Sequence, residues 1–229
     1  MSQPIAVRAE NLWKRFGYRR ALCGVDLEIH TGSCLAIFGH NGAGKSTLLN
    51  ILSTRTRPTS GKLNIFGHEL QRSVLEARRS IGVVFHESCL RNDLTLDENL
   101  RFYAGLYGLR KLSRKTEDMI QLLGLENRRG DPVRTFSQGM RKRTTLIRSL
   151  LHDPGLWLLD EPFSGLDPEG QQQLEDMIKM ECDGGRTVVF VTHHPDRGLR
   201  LADDAVVLRD GEIAIRGCEN IQLDLLKRE

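Results

Sequence analysis

The sequence predicts an α/β fold built on a mostly parallel sheet, and three patterns point to it. A short apolar run, residues 34–38, stands directly before the glycine-rich segment 39–47, and helical character follows. Two further apolar runs, residues 156–160 and 187–191, lack the alternation expected of a strand with one solvent-facing side. Near-continuous apolar strands are typical of parallel sheets covered on both faces. We therefore expect helices on both sides of this sheet.

The glycine-rich segment fits the pattern G-x-x-x-x-G-K-[ST] of a phosphate-binding loop. It reads Gly39, His40, Asn41, Gly42, Ala43, Gly44, Lys45, Ser46 and Thr47. Glycines allow backbone N–H groups to converge on a phosphate, and the following helix N-terminus adds unpaired donors and a positive dipole end. Lys45 is suited to reach the β- and γ-phosphates, and Ser46 to bind Mg²⁺ through its hydroxyl.

Length, composition and net charge exclude several classes of protein. The chain has 229 residues, 39% of them apolar and 28% charged, with a net charge of +3. This length is too short for two nucleotide-binding domains in tandem, and the small charge does not favour nucleic acid. No apolar stretch approaches the roughly 20 residues that cross a bilayer, and no signal-peptide pattern is present, so we expect a cytoplasmic protein. The basic run at residues 141–143 is interpreted as a solvated helix face.

The segment before the first apolar run predicts antiparallel strands. Residues 5–38 alternate between apolar and polar positions, which indicates short strands with one buried face. Three glycines interrupt the alternation: Gly17, Gly24 and Gly32. Phe16 stands ahead of the phosphate loop and can stack on an adenine ring, although an ordinary core phenylalanine is the alternative and Tyr18 competes for the role.

Further elements follow the phosphate loop. A turn at residues 58–61 precedes a strand at 62–67, and residues 81–85 form another apolar run. From about residue 95 to 148 the apolar spacing becomes helical, which predicts a mostly helical insertion. The apolar runs on either side of Asp210-Gly211 predict a hairpin with an Asp-Gly turn.

Two adjacent carboxylates stand at the end of the apolar run 156–160. Asp160 is its last residue and Glu161 follows. The carboxyl ends of strands are where α/β proteins bind ligands. Asp160 is suited to hold Mg²⁺ through water, and Glu161 to polarise the water that attacks a γ-phosphate. Together with the phosphate loop, this pair predicts nucleotide hydrolysis.

With these motifs the sequence resembles the nucleotide-binding subunit of ATP-binding cassette (ABC) transporters over essentially its whole length. Residues 136–140, Phe-Ser-Gln-Gly-Met, stand where that family has its L-S-G-G-Q signature. Residues 164–167 match the family's D-loop, and His193 matches its switch histidine. The resemblance implies a P-loop NTPase of ABC type that binds ATP and Mg²⁺, with an N-terminal antiparallel β-subdomain and a helical subdomain insertion.

The resemblance also implies a single ABC ATPase domain over residues 1–229. Residues 1–84 and 150–229 would form the RecA-like core with its antiparallel β-subdomain. Residues 85–149 would form the helical subdomain, which carries the signature motif.

The family mechanism implies an ATP-dependent, head-to-tail homodimer. Ser137 and Gly139 of one subunit would cap the γ-phosphate held by the phosphate loop of the other. His193 would bridge the γ-phosphate and Glu161, and Asp167 would couple the two sites. Phe16 becomes the expected adenine stacker. Nucleotide contacts are further implied for the loop residues Gly39, Asn41, Gly42, Ala43, Gly44, Lys45, Ser46 and Thr47. Ser137 is also expected to cap the helix that follows it.

Three positions depart from the family pattern. The signature has Gln138 for its first glycine and Met140 for its glutamine. His86 stands where the family has the glutamine of its Q-loop, a position near Mg²⁺, and Glu87 is the alternative for that role. Histidine at this position, together with residues 100–103, resembles the ATPase of the haem exporter used in cytochrome c maturation.

The implied partner is a separate transmembrane permease subunit, because this chain has no span of its own. The chain would then lie on the inner face of the cell membrane and associate with it only through that partner. We expect no regulatory domain after residue 215, which argues against importers that need one and favours an exporter. The alternatives are a soluble ABC ATPase that acts on nucleic acid, which usually carries a coiled coil, a zinc module or a second cassette, and a regulatory binder, which would be expected to lack Lys45 or Glu161.

Overall fold

The computed structural model describes residues 4–85 and 87–221, which form ten strands and seven α-helices. The strands are β1 (Ile5–Phe16), β2 (Arg19–His30), β3 (Cys34–Phe38), β4 (Ser60–Ile65), β5 (His68–Glu69), β6 (Ile81–Val84), β7 (Leu156–Asp160), β8 (Thr187–Val191), β9 (Asp204–Arg209) and β10 (Glu212–Arg216). The helices are α1 (Lys45–Leu52), α2 (Val74–Arg79), α3 (Leu96–Leu106), α4 (Arg114–Leu122), α5 (Gln138–Leu150), α6 (Pro168–Asp183) and α7 (Pro195–Leu201). Within these ranges no helix is long and apolar enough to cross a bilayer.

The larger sheet has the order β10-β9-β3-β8-β7-β6, and every pair in it except β10 with β9 is parallel. The β9–β10 hairpin turns at Asp210 and Gly211, whose φ angles of 49° and 85° are those that an Asp-Gly turn requires. The smaller sheet, β2-β1-β4-β5, is antiparallel. These features confirm the predicted α/β class with an antiparallel β-subdomain.

Both faces of the parallel sheet are covered. Alternate side chains on its central strands enter two separate apolar clusters, because successive residues of a strand point to opposite faces. Phe38, Trp157 and Phe190 pack with residues of α3, α5 and α6 on one face. Leu35, Leu158 and Val189 pack with α1 and the antiparallel sheet on the other. Burial on both faces explains the unbroken apolar runs in the sequence.

The antiparallel strands are longer than predicted. β1 and β2 have 12 residues each, and Gly24 lies inside β2 rather than between two short strands. The pairing of β1 with β2 shifts register between Leu12 and Trp13, opposite Gly24, which has a φ of 77°. A β-bulge inserts a residue without ending a strand, and glycine readily adopts its positive φ. The glycine therefore marks a bulge, whereas Gly17 and Gly32 lie at turns.

The helical insertion consists of three helices rather than one continuous periodicity. Thr95 begins α3 with a capping box, accepting a hydrogen bond from the Glu98 backbone N–H while Glu98 accepts from that of Thr95. Arg129 then ties α3 to α4, because its guanidinium lies 2.8 Å from Asp97 and 2.5 Å from Glu117. Leu100 of α3 and Ile120 of α4 are fully buried in the core, whereas Leu106 and Leu122 are 68% and 48% exposed.

A stacked ring pair joins the insertion to the core. Tyr107, the residue that follows α3, stacks on His152 with ring centroids 3.8 Å apart and planes within 7°. His152 Nε2 also donates to the carbonyl of Ile81, 3.1 Å away. Burial lowers the pKa of His152 below its usual value, although the hydrogen bond to Ile81 opposes this effect.

We expect this pair to make stability sensitive to acid. The unfolded histidine has a pKa of about 6.5, and the folded state disfavours the imidazolium, so the free energy of unfolding should fall as the pH drops below about 6.5. In His152→Gln this contribution is absent. Urea unfolding from pH 8 to pH 5 should therefore show a steeper acid decline for the wild type, and parallel profiles would contradict this role of His152.

Gly82 should be intolerant of a side chain. A Cβ on it would lie 2.2 Å from the Ser149 carbonyl oxygen of α5 and 2.7 Å from Pro154 Cγ. We expect Gly82→Ala to destabilise the fold by about 1–3 kcal/mol through overpacking. Gly105→Ala is the matched control, because a methyl there meets no described atom within 4 Å and should stabilise α3 by up to about 1 kcal/mol. Equal urea midpoints for the two variants would contradict this packing.

Candidate active site

A cavity of about 340 Å³ opens where α1 begins and where β7 and β8 end. Most of the predicted site residues line it: Phe16, Asn41, Gly42, Gly44, Lys45, Ser46, Thr47, Asp160, Glu161 and His193. These residues come from four distant parts of the sequence. The sheet topology brings them together because β3, β7 and β8 are parallel and end at one edge.

The phosphate loop is packed so closely that two of its positions require glycine. Gly39 and Gly44 have φ angles of 140° and 110°. A Cβ on Gly39 would lie 2.3 Å from the Leu208 carbonyl oxygen, and one on Gly44 would lie 2.6 Å from that of Ala21. Strands on both sides therefore hold the loop backbone. Ala43 takes part through its own carbonyl, which accepts a hydrogen bond from the Gly211 backbone N–H at 3.0 Å.

Lys45 places a buried ammonium group inside the loop. Lys45 is only 6% exposed, and its Nζ donates to the carbonyls of Gly39 and His40 at 2.5 and 3.0 Å. Gly44, in the left-handed conformation, precedes α1 and provides no side-chain cap for it. The first amides of α1 and its positive dipole end therefore face the cavity together with a cation. This arrangement suits a polyphosphate.

Glu161 lies beside Asp160 in a strained backbone conformation with a φ of 44°. Two hydrogen bonds hold that backbone: Glu161 N–H donates to the Val191 carbonyl at 3.1 Å, and Lys142 Nζ donates to the Glu161 carbonyl at 3.0 Å. The carboxylate faces His193. The His193 backbone N–H donates to Oε2 at 3.3 Å, and its Nε2 lies 3.2 Å from Oε1, within ion-pair range but without the alignment of a hydrogen bond.

Burial shifts the protonation of these groups. Desolvation raises the pKa of Glu161, the His193 amide bond opposes the rise, and the charge of Asp160 adds to it. Desolvation, with the charge of Lys45, lowers the pKa of His193, so its imidazole is neutral at neutral pH. Desolvation also lowers the pKa of Lys142 to about 8, against the opposing charges of Asp160 and Glu161. A carboxylate with a raised pKa is a better proton acceptor than an ordinary one.

The donor set fits a magnesium nucleotide. The Ser46 hydroxyl and the Asp160 carboxylate are hard oxygen donors of the kind that Mg²⁺ prefers, and both line the cavity. Lys45 and the first amides of α1 can bind phosphate oxygens. Phe16 lines the cavity and is 53% exposed, so it is not a core phenylalanine.

Ser137, Gly139 and Asp167 do not line the cavity. Ser137 is exposed and caps α5, accepting a hydrogen bond from the Met140 backbone N–H at 3.2 Å, as predicted. Asp167 caps α6 by accepting from the Gly170 backbone N–H at 3.3 Å. A Cβ on Gly139 would lie 3.5 Å from the Gly165 carbonyl oxygen. The signature and D-loop segments therefore contact each other, apart from the phosphate loop of their own chain. His86 lies outside the described residues.

Two cationic residues at the site were missed by sequence reasoning. Arg19 lines the cavity, and its Nη2 lies 3.2 Å from where a Cβ on Gly42 would stand. Arg19 pairs with Phe16 across the β1–β2 hairpin, so the prediction of Phe16 at the nucleotide site could have pointed to Arg19 as well. Lys142 was assigned to a solvated helix face. That interpretation was wrong, because Lys142 supports the Glu161 backbone and its neighbour Arg143 donates to the Leu123 carbonyl.

Comparison with known proteins gives the family. A model of the ABC transporter family matches residues 22–164. The chain therefore belongs to the ABC transporter family of ATPases. It is 33% identical to the daunorubicin resistance ATP-binding protein DrrA3 of Streptomyces coeruleorubidus over 93% of this chain and 68% of that protein. It is also 33% identical to the Nod factor export ATP-binding protein I of Ralstonia nicotianae over 94% of this chain and 68% of that protein.

Solved structures agree with this assignment. A structure of the ATP-binding subunit of an ABC transporter has a TM-score of 0.88 and 26% identity, covering 97% of this chain and 98% of that one. The dimeric MJ0796 cassette, in a post-hydrolysis state with ADP and Pi, has a TM-score of 0.83 and 28% identity, covering 92% of this chain and 97% of that one. The predicted ABC-type fold and ATPase class are confirmed. The similarity to drug-resistance and Nod factor export proteins does not support the narrower resemblance to the haem exporter.

Glu161→Gln tests the role expected of this carboxylate. Glutamine keeps the size of the side chain but is a poor proton acceptor, so we expect ATP binding to persist and hydrolysis to fall by about a hundredfold or more. Glu169→Gln, an exposed position in the first turn of α6, is the control and should keep wild-type turnover. Phosphate release and ATP affinity should be measured for both variants. Wild-type hydrolysis in Glu161→Gln would exclude this role.

Proposed function

We propose that this chain is the ATP-hydrolysing subunit of an exporter and drives a separate transmembrane permease subunit. The observation that carries the proposal is the cavity in which Lys45, Ser46, Asp160, Glu161 and His193 meet. The named functions of the relatives, drug resistance and Nod factor export, support export as the direction of transport. The cargo is then selected by the permease.

Each residue of the cavity has a distinct task in this proposal. Lys45 and the first amides of α1 hold the phosphates, and Phe16 stacks on the adenine. Ser46 and Asp160 would hold Mg²⁺, which would supply positive charge to neutralise the phosphates. Glu161 orients the attacking water and accepts its proton. Its raised pKa suits that task.

His193 and Lys142 keep Glu161 in place. The His193 amide fixes one carboxylate oxygen, and Lys142 holds the carbonyl of the same residue. His193 also lines the cavity, where its neutral imidazole can donate a hydrogen bond to the γ-phosphate. For His86, which lies outside the described residues, we propose a contact with Mg²⁺, with Glu87 as the alternative for that role.

A head-to-tail homodimer completes the site in this proposal. Ser137 and Gly139 lie at the exposed beginning of α5, away from the cavity of their own chain. The amides of a helix N-terminus suit a γ-phosphate presented by a second subunit. Asp167, which lies exposed before α6, would contact that subunit as well. We further propose that residues 1–229 act as one cassette, with the helical subdomain at 85–149.

A groove between α2, α3 and α5 suits the permease. It has a volume of about 1110 Å³ and includes Leu75 and Leu106, which are 63% and 68% exposed. Its cationic lining residues are Arg55, Arg78, Arg79 and Arg148. Apolar contacts beside arginines fit an amphipathic helix that carries acidic side chains. Binding there would hold the chain on the inner face of the membrane.

The competing functions have less support. A nucleic-acid role has no feature of its own in the described residues, and Lys45 and Glu161 both line the cavity, which favours hydrolysis over purely regulatory binding. Haem export in cytochrome c maturation rests on His86 and residues 100–103. The proposal of an exporter ATPase does not depend on it.

Mixed dimers test the shared site. Lys45→Ala removes the ammonium group that binds phosphate. Ser137→Arg places a bulky side chain where Ser137 and Gly139 would contact the γ-phosphate of the partner subunit. Each homodimer should therefore be inactive. In a heterodimer of the two variants, both changes fall in one composite site and the other site is intact. We therefore expect a 1:1 mixture to recover up to about a quarter of wild-type turnover, half of the dimers being mixed with one working site each.

Thr135→Arg is the control for the added arginine, because Thr135 is an exposed position that precedes the signature. This variant should retain activity as a homodimer, which would show that an arginine near the beginning of α5 is not itself harmful. Full activity in the Ser137→Arg homodimer would exclude capping between subunits.

A further inference from the structure

A buried carboxylate fastens α7 to α6. The side chain of Glu175, on α6, is only 2% exposed. Arg200 donates to both of its oxygens at 2.9 and 2.7 Å, and Arg197 Nε lies 2.6 Å from Oε1, within ion-pair range but without the alignment of a hydrogen bond. A buried carboxylate is costly unless cations are held against it, so these contacts fix the position of α7. α7 begins two residues after His193.

Arg197 makes further contacts that Arg200 does not. Its Nη1 donates to Gln171 Oε1 at 2.7 Å, and its guanidinium lies over the ring of Phe163, 4.9 Å from the centroid. One planar guanidinium thus reaches a carboxylate, an amide and an aromatic face at once. A lysine could not make all three contacts.

Gln171 continues this network into the segment after Glu161. Its side-chain amide donates to the carbonyl of Leu166 at 3.0 Å and to that of Phe163 at 3.4 Å. These carbonyls belong to residues 161–167, which connect the catalytic carboxylate to Asp167. The Gln171 side chain therefore joins two parts of the structure. Its Nε2 binds the carbonyls of this segment, and its Oε1 binds the guanidinium of Arg197.

The contacts form a closed ring. Arg197 lies four residues after His193, and the first backbone bond of α7 runs from the Gly198 N–H to the His194 carbonyl at 2.9 Å. His193 in turn donates to Glu161. Phe163 packs edge-on against Phe190 of β8, with ring centroids 6.4 Å apart. The segments on either side of the Glu161–His193 contact are therefore tied together.

We propose that Arg197 is a positioning residue that, through Gln171, sets His193 against Glu161 and couples both to the segment ending at Asp167. The inference rests on the proposed roles of Glu161 and His193. A shift of residues 163–167, such as contact of Asp167 with a second subunit would produce, reaches His193 through the amide of Gln171 and the guanidinium of Arg197. Arg200 anchors α7 but takes no part in this coupling.

Arg197→Met and Arg200→Met separate positioning from anchoring. Each variant removes one arginine from Glu175, so both should lose stability, but only Arg197→Met breaks the link to Gln171. We expect Arg197→Met to lower kcat about tenfold with KM changed less than about twofold, because displacing catalytic groups by a fraction of an ångström acts on the transition state. Arg200→Met should keep kcat within about twofold. Should Arg197→Met fail to fold, Arg197→Lys keeps a cation on Glu175 and should show the same loss.

Hydrogen exchange of the nucleotide-free protein supplies a second readout. The His193 amide and residues 162–167 should exchange at least about threefold faster in Arg197→Met, and at the wild-type rate in Arg200→Met. Equal effects of the two variants on both readouts would reduce Arg197 to an anchor and overturn the proposal. Because this measurement needs no turnover, it decides the coupling even if the wild type proves inactive, a result that would instead overturn the proposed function.

Gln171→Met completes the test. If Gln171 and Arg197 act as one unit, the double variant should lose no more kcat than the greater of the two single losses. If the loss of kcat in the double variant equals the product of the two single losses, the residues act independently, which would contradict the proposal.

Discussion

The parallel pairing of β3, β7 and β8 is the constraint on which the site depends. Ile37 and Asp160 both pair with Val191, so the three strands end at the same level. The phosphate loop, the carboxylates and His193 follow these ends. The register is fixed because both faces of the sheet are buried, and a slip of one residue would exchange the side chains of two apolar clusters. Core packing thus determines where the catalytic groups meet.

Contacts with the surrounding fold stabilise a strained backbone conformation at Glu161. The left-handed conformation of Glu161 costs on the order of 1–3 kcal/mol for a residue other than glycine. Its backbone bonds to Val191 and Lys142 offset that cost and aim the carboxylate at His193. Lys142 in turn is largely desolvated, which explains why its pKa is lowered. A cation from α5 therefore supports the catalytic segment of the core.

The fold class and the residues in contiguous motifs could be predicted because local patterns encode them. Lys45, Ser46 and Asp160 follow directly from the phosphate loop and the strand after which the carboxylates stand. The bulge at Gly24 could not be predicted, since alternation continues on both sides of an inserted residue. The contacts of Arg197 were missed as well, because its partners are set by helix packing. A charged residue on an exposed helix pattern gives no local sign of such contacts, whereas the position of Arg19 opposite Phe16 across a two-residue turn did give one.

The altered signature motif has a physical explanation within the chain. Gln138, in place of the family's first glycine, lies against the D-loop: a Cβ on Gly165 would come within 2.7 Å of its Nε2. Gly165 has a φ of 79° and no side chain, so it leaves room for the glutamine. The longer side chain is therefore accommodated between two segments of the same subunit. Ser137 and Gly139, on which the proposed capping depends, lie at the beginning of α5. The loss of one signature glycine is thus compatible with a helix N-terminus that still faces outward.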